Sequence, residues 1–453
     1  MNVHFIAIGG SAMHNLAIAL HLKGCHVTGS DDEIFEPAKS RLENYSLLPE
    51  KEGWDAFRIN EQLDAVILGM HARSDNPELL KAQQLGLKIF SYPEFLYEQS
   101  KDKKRVVIGG SHGKTTITAM ILHVLNSNKI DCDYMVGAQL DGFEVMVKLS
   151  DEAPFMVLEG DEYLTSTLDK RPKFHVYMPD IALISGIAWD HINVFPTLDN
   201  YVEQFRIFAN LVADDGILIY CEDDKIVKEV CESAKTTIQK IPYYLPEFKI
   251  SEGKTYVYSG ESIYPLKIFG RHNLLNLNGA KLVCNQLGVS DEQFYEAITQ
   301  FRGASKRLEL IGMNETVSVF KDFAHSPSKL KATTIAVKEQ FPDRKLVACL
   351  ELHTFSSLNA EFLKEYKGSM HDADVAMVYF NPHTIEHKKL PPITTEQIKL
   401  SFDRDDVKIY NESMKLFNDL KKLKWENANL LLMSSGNFDG INFSELTQHI
   451  LAK

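Results

Sequence analysis

Residues 105–116, RVVIGGSHGKTT, join a short apolar run to a glycine-rich loop that ends in lysine and threonine. The stretch that follows carries apolar residues at helical spacing, which predicts a strand, a loop and a helix in succession. Those apolar positions are Ile117, Met120, Ile121, Val124 and Leu125. This order is the setting of a phosphate-binding loop, in which backbone N–H groups and the helix dipole favour an anion.

The loop is shorter than the usual phosphate-binding form, because Ile108 stands where a glycine is expected, five places before Gly113. In the motif that remains, GSHGKTT, Lys114 can place a positive charge on a phosphate and Thr115 a hydroxyl on magnesium. The candidate loop residues are Gly110, Ser111, His112, Gly113, Lys114, Thr115 and Thr116. The alternative is a glycine turn that precedes Lys-Thr by chance.

The composition is that of a globular protein with two or three domains, since 453 residues exceed one ordinary core. No apolar run is long enough to span a membrane and no basic leader is present, so we expect a cytoplasmic protein without membrane contact. The net charge of -13, without a basic run, argues against nucleic acid as a partner. The six cysteines are scattered, which favours buried thiols over disulfides or a zinc site.

Short apolar runs alternate with helical patterns along the whole chain, which predicts an α/β fold with mostly parallel sheets. The runs are VHFIAIG, DAVILGM, RVVIGG, PFMVLEG, IALISGI, GILIYC, KLVACLEL, VAMVYF and NLLLMSSG. We divide the chain into three predicted domains, residues 1–100, 101–303 and 304–453.

The N-terminal stretch FIAIGGSAMHNLAIALHLKGCHVTGSDD predicts a strand, a glycine turn, a helix and a second strand that leads to Asp31. A dinucleotide-type fold binds a pyrophosphate at such a turn. Ala7 and Ala12 stand where a complete fingerprint has glycine, so an NAD-binding domain and a purely structural turn both remain open.

Three further segments contain candidate polar residues. MVLEGDEY places Glu159 at the end of an apolar strand, where a carboxylate can bind magnesium, although such acidic clusters are more often solvated turns. ISGIAWDHINVF ends in Asp190 and His191, and a lone histidine is usually structural. In FGRHNLLNLNGA, Asn273 and Asn276 lie one helical turn apart and can face one ligand, unless Asn273 only caps the helix.

The compact loop with histidine before its second glycine resembles that of the ATP-dependent Mur ligases of peptidoglycan assembly and recycling. The resemblance implies a Rossmann-like N-terminal domain for the UDP of a UDP-muramyl substrate and a central P-loop domain for ATP. It also implies a Rossmann-like C-terminal domain that binds the amine donor and closes over ATP. ATP and Mg²⁺ are the implied cofactors, and a monomer or weak dimer in the bacterial cytoplasm is expected.

On the UDP side, GGSAM resembles the family's GGIGM, and HARSDNPEL, residues 71–79, resembles its S-x-D-N-P-E segment. The residues implied to bind UDP-N-acetylmuramate are Gly9, Gly10, Ser11, Met13, Asp31 and Ser74.

On the ATP side, Glu159 matches a magnesium-binding glutamate in E-x-D-E, with Asp161 and Glu162 as weaker candidates. His191 matches the histidine of D-H-x-D, which binds a second magnesium, although Asn193 replaces the later acid. The remaining ATP-side matches are His272, Asn273 and Asn276 in G-x-H-N-x-x-N, Arg307 in FRGASKRLEL, and Asp322 and His325 in FKDFAHSPSKL. Phe205 or Arg206 falls where some members carry a carbamylated lysine, so that modification is not expected.

The implied reaction needs no enzyme nucleophile. ATP converts a carboxylate into an acyl phosphate, and an amine then displaces the phosphate to form an amide. Catalysis rests on positioning and charge neutralisation. The catalytic candidates are Lys114, Glu159, His191 and Arg307, with Thr115, Glu159 and His191 holding metal.

Two branches of the family compete for the amine donor. EGDEY, the following DKRPKFHVYMPD and the late MSSGNFDGI resemble the branch that attaches recycled L-alanyl-γ-D-glutamyl-meso-diaminopimelate, with Ser435, Asn437 and Asp439 as departures. LHTFSS, residues 352–357, is closer to the branch that adds L-alanine. His353, Ser435 and Asn437 are the candidate donor-binding residues. A protein that binds nucleotide without catalysis is the alternative from another class.

Overall fold

The computed structural model describes residues 1–70, 72–140, 142–166, 168–305 and 307–452. These residues form two compact units. The first comprises Met1–Ile187, Val202–Tyr243 and Gly279–Ser290, and the second comprises Ala188–Tyr201, Tyr244–Asn278 and Asp291–Lys453. Among the described residues, no helix combines the length and the apolar character needed to cross a bilayer.

The N-terminal sheet belongs to the first unit and is parallel throughout. Its strands are β1 (Asn2–Ile6), β2 (His26–Ser30), β3 (Ala65–Leu68) and β4 (Ile89–Ser91), in the order β2-β1-β3-β4. The helices are α1 (Ser11–Leu22), α2 (Ala38–Asn44), α3 (Pro77–Gln84) and α4 (Tyr92–Ser100). Helix α4 begins with a capping box, in which Ser91 and Glu94 satisfy each other's backbone N–H groups.

The central sheet also belongs to the first unit and runs in the order β11-β10-β9-β5-β8-β6-β7. Its strands are β5 (Lys104–Gly109), β6 (Asp133–Met135), β7 (Val147–Lys148), β8 (Phe155–Glu159), β9 (Ile181–Ile184), β10 (Ile217–Cys221) and β11 (Gln239–Tyr243). Its helices are α5 (Lys114–Ser127), α6 (Lys173–Val176), α7 (Leu198–Asn210) and α8 (Lys225–Glu232). The pair β6–β7 is antiparallel and the other pairs are parallel.

A small antiparallel sheet and the C-terminal sheet lie in the second unit. The small sheet consists of β12 (Phe248–Ser251), β13 (Lys254–Ser259) and β14 (Ser262–Leu266), and α9 (Arg271–Gln286) and α10 (Asp291–Ile298) follow it. The C-terminal strands are β15 (Glu309–Met313), β16 (Val317–Asp322), β17 (Lys345–Leu352), β18 (Val375–Phe380), β19 (Lys408–Tyr410) and β20 (Ala428–Met433). Their order is β15-β16-β20-β17-β18-β19, with only β15–β16 antiparallel among the described pairs.

Helices cover both faces of the C-terminal sheet. They are α11 (Pro327–Gln340), α12 (Pro382–His387), α13 (Thr395–Ser401), α14 (Ser413–Lys422) and α15 (Phe443–Leu451). On one face Leu330 and Ile398 pack with a 3₁₀ turn at Phe362–Tyr366, and on the other face Leu420 and Leu446 pack together. A parallel sheet buried on both sides explains why its strands are nearly continuous apolar runs.

The predicted fold class is confirmed, since the chain is α/β with mostly parallel sheets and each of the nine apolar runs contains a strand. The predicted helix after the glycine loop is confirmed as α5, with its apolar stripe fully buried. The cysteines of the described residues are free, and all but the half-buried Cys25 are buried, as expected. The division at residues 100 and 303 stays a prediction.

Candidate active site

The glycine-rich loop lies between β5 and α5, at the carboxyl end of a strand inside the central sheet. Gly113 has a φ of 81°, a left-handed conformation that favours glycine, and α5 begins at the next residue, Lys114. The first N–H groups of a helix have no partner within it, so they are available to an anion at the loop. The strand, loop and helix are therefore confirmed, and phosphate binding stays a prediction.

Lys114 is fixed at the centre of the loop. Its Nζ donates to the carbonyl oxygen of Gly110 and to Oε2 of Glu162, each at 2.5 Å; the Glu162 side chain is buried and that of Lys114 is 13% exposed. Burial acts to lower the pKa of Lys114, but Glu162 and then Asp161 outweigh it, so the pKa is raised. Lys114 therefore stays charged at neutral pH, and Glu162 is in contact with this lysine.

Thr115 and Glu159, two of the predicted metal ligands, touch each other. The Thr115 hydroxyl donates to Oε1 of Glu159 at 2.8 Å, and the backbone N–H of Gly137 donates to Oε2 at 2.7 Å. Glu159 ends β8, the neighbour of β5, so the parallel sheet brings the carboxylate beside the loop. Gly137, which follows β6, was not predicted from the sequence, because nothing in its local pattern points to a carboxylate.

The oxygen atoms of Thr115 and Glu159 fit a magnesium ion. Mg²⁺ prefers hard oxygen ligands and is usually held by one or two carboxylates together with substrate phosphates. Among the described residues no group of three or more His, Cys, Asp or Glu side chains is arranged to hold a metal. A site completed by nucleotide phosphates is consistent with that finding, and the magnesium assignment stays a prediction.

The strand behind the loop supports it through residues that the sequence did not reveal. The N–H of Ser111 donates to the carbonyl of Gly186 at 2.9 Å, and the Ser185 hydroxyl donates to the carbonyl of His112. A Cβ atom added at Gly186 would overlap the imidazole ring of His112. The loop therefore depends on a close approach to β9 that only glycine permits at residue 186.

Buried Asp190 lies close to His325 and Lys329 in the second unit. Asp190 Oδ2 lies 3.6 Å from Lys329 Nζ and 4.0 Å from His325 Nε2, and Oδ1 accepts the N–H of His191 at 2.8 Å. Burial acts to raise the pKa of Asp190, but Lys329, His191 and His325 together lower it to about 2. Burial, assisted by Lys329, lowers the pKa of His325 to about 3. Lys329, which the sequence did not single out, is therefore the cation that compensates Asp190.

Arg307 lies in the second unit with Phe323, Asp322 and His325. Its guanidinium carbon is 4.7 Å from the centroid of the Phe323 ring, and that ring meets His325 edge to face. Buried Asp322 accepts the N–H groups of Leu308 and Ala324 at 2.5 and 2.6 Å. Burial raises the pKa of Asp322, and Arg307 opposes that shift. Arg307 therefore lies over an aromatic ring, and its contact with phosphate stays a prediction.

The three candidates on α9 lie in its first two turns, with Asn273 and Asn276 buried. The Asn273 side-chain nitrogen donates to the carbonyl of Phe269 at 2.9 Å. Asn273 is inside the helix and donates a hydrogen bond, so the alternative of an N-cap, which must accept one, is wrong. Contact of His272, Asn273 and Asn276 with ATP stays a prediction.

The N-terminal glycine turn is held by Asp31. Its Oδ2 accepts the N–H of Gly9 at 2.8 Å, and burial raises its pKa to about 6. Ala7 has a φ of 70°, so alanine adopts the left-handed conformation where a fingerprint has glycine. Gly10 precedes α1, Ser11 opens it with an exposed side chain, and Met13 is buried. UDP binding at this turn stays a prediction.

The segment that resembles S-x-D-N-P-E divides into exposed and structural residues, and its first residue, His71, lies outside the described residues. Ser74 is exposed. Asn76 caps α3 by accepting the N–H groups of Glu78 and Leu79 at 2.9 and 3.2 Å. Ser74 is therefore accessible to a ligand whereas Asn76 serves the helix, and the role of Ser74 in binding stays a prediction.

The donor-side candidates meet at the carboxyl ends of β17 and β20. His353 is half exposed, with Nδ1 3.7 Å from Oε1 of buried Glu351. The Ser435 hydroxyl oxygen is shielded from solvent and has no hydrogen-bond partner among the described residues. Asn437 is exposed and its Oδ1 accepts the N–H of Gly440 at 3.3 Å. Glu351, missed in the sequence, receives the N–H of Phe438 at 2.8 Å and so joins the two loops.

The structure therefore groups the candidates by unit. The first unit holds the phosphate loop, the carboxylate pair Glu159 and Glu162, and the UDP-side residues around Gly9 and Ser74. The second holds His191, the α9 amides and the donor-side residues. It also holds Arg307 with its neighbours Asp322 and His325.

Two family models match the chain. Residues 2–104 match the model described as "Mur ligase family, catalytic domain", and residues 108–284 match "Mur ligase middle domain". The UDP-N-acetylmuramate–L-alanine ligase of Caldicellulosiruptor bescii is 33% identical over 413 residues, which cover 87% of each chain. The UDP-N-acetylmuramate–L-alanyl-γ-D-glutamyl-meso-2,6-diaminoheptandioate ligase of Haemophilus influenzae is 26% identical over 454 residues, 97% of each.

Solved structures share the fold. A UDP-N-acetylmuramate-alanine ligase from Thermotoga maritima has a TM-score of 0.69 at 20% identity, and covers 100% of this chain and 98% of its own. Curated relatives thus include both an alanine ligase and a tripeptide ligase.

Proposed function

The chain belongs to the Mur ligase family, whose members are ATP-dependent ligases that form C–N bonds, and on that premise we propose its substrates. We propose that it joins the carboxylate of UDP-N-acetylmuramate to the amine of the L-alanyl-γ-D-glutamyl-meso-diaminopimelate tripeptide, with ATP as the phosphate donor. The observation that supports this most is the compact loop, where Lys114 and the Thr115–Glu159 pair stand together.

The residues of the loop account for the first step. A carboxylate resists attack by an amine because it is already an anion, and transfer of the terminal phosphate of ATP gives it a leaving group. Lys114 is held charged where the phosphate is expected, and the N–H groups at the start of α5 receive phosphate oxygens. When bound through Thr115 and Glu159, magnesium would neutralise phosphate charge.

The second step needs an ordered amine rather than an enzyme nucleophile. The amine adds to the acyl carbon, the tetrahedral species expels phosphate, and the amine loses a proton as the amide forms. Positioning dominates such a step. Arg307 stacked on Phe323 supports a second point of contact for phosphate oxygens, and His353 supports a contact for the donor.

The choice of the tripeptide rests on sequence motifs. EGDEY, the DKR that follows and MSSGNFDGI resemble the tripeptide branch. The alternative is L-alanine, which LHTFSS favours, and relatives of both kinds are similar to this chain.

Phosphate release from ATP tests the proposal. The purified chain receives ATP, Mg²⁺ and UDP-N-acetylmuramate, with either the tripeptide or L-alanine, and a control omits UDP-N-acetylmuramate. We expect release with the tripeptide and with both substrates present. Release with L-alanine but not with the tripeptide would establish the alanine ligase instead. Absence of phosphate release with either donor would identify a protein that binds nucleotide without catalysis.

A further inference from the structure

The carboxyl ends of β20, β17 and β18 share one edge of the C-terminal sheet. Strand β17 pairs in parallel with both neighbours, with Leu350 opposite Met433 and Leu352 opposite Phe380. The segments that follow these strands, residues 434–440, 353–358 and 381–390, therefore lie side by side. The donor-side candidates occupy the first two segments, and the third has no role so far.

Glu351 makes one end of this edge rigid. Its Oε2 accepts the N–H of Phe438 at 2.8 Å and the hydroxyl of Ser434, so the loop after β20 is tied to β17. The half-exposed His353 follows directly, with its Nδ1 facing Oε1 of the same carboxylate. A donor amine placed against His353 would therefore contact loops that are held in position by Glu351.

Lys388 lies at the other end of the edge. Its Nζ is 4.4 Å from the centroid of the Phe355 ring, and Phe355 is 45% exposed although it is a large apolar side chain. Helix α12 sets the position of the lysine, since Asn381 caps its start and Ile385 is buried in the core. Contact with the ring fixes the ammonium in one place and leaves its outer side to solvent.

The charge of Lys388 has no carboxylate within ion-pair distance in the described part of the chain. Lys421 offers a contrast on α14, because it lies 4.2 Å from the Phe417 ring centroid and also pairs with Glu445 at 2.7 Å. A positioned ammonium without an internal anion is suited to a carboxylate supplied by a ligand.

We infer that Lys388, seated on Phe355, binds a carboxylate of a peptide amine donor, an inference that rests on the proposed function. L-Alanine has one carbon between its amine and its carboxylate. The tripeptide carries the free carboxylate of its γ-linked glutamyl residue and those of diaminopimelate many bonds from the amine. Lys388 contacts Phe355, two residues beyond His353. A donor whose amine lies at His353 therefore needs a carboxylate set well apart from that amine to meet Lys388, and the tripeptide has one whereas L-alanine does not.

Steady-state kinetics of Lys388→Met tests the inference in the full-length chain. We expect the KM for the tripeptide to rise about tenfold or more, as for loss of a charge-assisted hydrogen bond, with smaller change in kcat. The KM values for ATP and UDP-N-acetylmuramate should stay at the wild-type level, and Lys388→Arg should restore most of the tripeptide affinity. Lys249→Met is the matched control, because Lys249 also lies over aromatic rings, Tyr256 and Tyr258, but on the small antiparallel sheet.

The outcomes distinguish failure of the Lys388 inference from failure of the proposed function. If the wild-type chain ligates the tripeptide and Lys388→Met shows an unchanged KM for it, the inference is wrong and the proposed function stands. An equal rise in Lys249→Met, or a rise for all three substrates, would also overturn the inference. If the wild-type chain does not ligate the tripeptide, both proposals fail together.

Discussion

His4 and Glu78 show how a single buried pair stabilises the N-terminal sheet. His4 Nε2 lies 3.2 Å from Glu78 Oε2, and both side chains are fully buried. Oε1 of the glutamate accepts the N–H of Asp55 at 2.8 Å, and His4 Nδ1 contacts the Thr28 hydroxyl at 2.8 Å. Glu78 belongs to the segment that resembles a substrate-binding motif, yet its carboxylate is used inside the protein. A motif resemblance therefore predicts the segment but not the task of each side chain.

Glu78→Gln should lower the free energy of unfolding by about 1–3 kcal/mol at neutral pH, because a buried charged hydrogen bond is lost. Burial acts to raise the pKa of Glu78, but the hydrogen bonds from His4 and Asp55 lower it overall. A lowered pKa in the folded state gives stability above the ordinary glutamate pKa, which is lost as the pH falls through the folded value. Urea unfolding at pH 7 and at lower pH measures both effects.

The matched control is Glu61→Gln, an exposed glutamate that lies between β2 and β3 of the same sheet, which should change stability by less than about 0.5 kcal/mol. Equal unfolding free energies for Glu78→Gln and wild type across the pH series would show that the pair contributes nothing.

At the scale of elements, long apolar strands were predictable and short or antiparallel ones were not. Runs such as VAMVYF are buried on both faces, so their pattern is continuous and strong. The three strands of the small antiparallel sheet mix polar, aliphatic and aromatic residues, and their pairing depends on turns rather than on an apolar run. β7 has two residues and no pattern of its own. Periodicity thus identifies strands in proportion to the area they bury.

Two substitutions just before α3 separate capping from ligand binding. Asn76→Ala removes the acceptor for two N–H groups and should cost about 1 kcal/mol of unfolding free energy. Ser74→Ala should leave stability unchanged, since Ser74 is exposed, and should raise the KM for UDP-N-acetylmuramate. Thermal unfolding and steady-state kinetics on both variants check this. A stability loss in Ser74→Ala with unchanged KM would reverse the two assignments.

At the scale of the whole molecule, the sequence predicted the fold class and the loop but not the supports of the loop. Gly137, Ser185 and Gly186 are far along the chain from residues 110–116, and the parallel sheet alone brings them together. Their local patterns are ordinary strand ends. Lys329, the partner of Asp190, was missed because it lies on α11, far from Asp190 along the chain. Contacts that a sheet creates between distant strand ends leave no trace in one sequence read locally.

Ligand-induced stabilisation of the whole chain distinguishes the two nucleotide sites. UDP-N-acetylmuramate at about 100 times its Kd should stabilise wild type and Lys114→Ala alike, by about 2.7 kcal/mol. ATP with Mg²⁺ should stabilise wild type only, and Lys114→Ala should lose nearly all ligation, because the fixed cation of the loop is absent. Thermal shift measures the stabilisation by each ligand, and phosphate release measures ligation. Lys39→Ala, at an exposed position on α2, is the control.

ATP stabilisation retained in full by Lys114→Ala would show that the nucleotide does not depend on this lysine. Loss of the response to UDP-N-acetylmuramate in the same variant would instead indicate general misfolding.

The close approach of the His112 imidazole to Gly186 makes substitution at residue 186 depend on the residue at 112. A side chain at residue 186 requires a smaller side chain at residue 112, or the loop changes its conformation. The dependence runs in one direction, because a smaller residue at 112 leaves Gly186 without a clash, whereas a side chain at 186 overlaps His112.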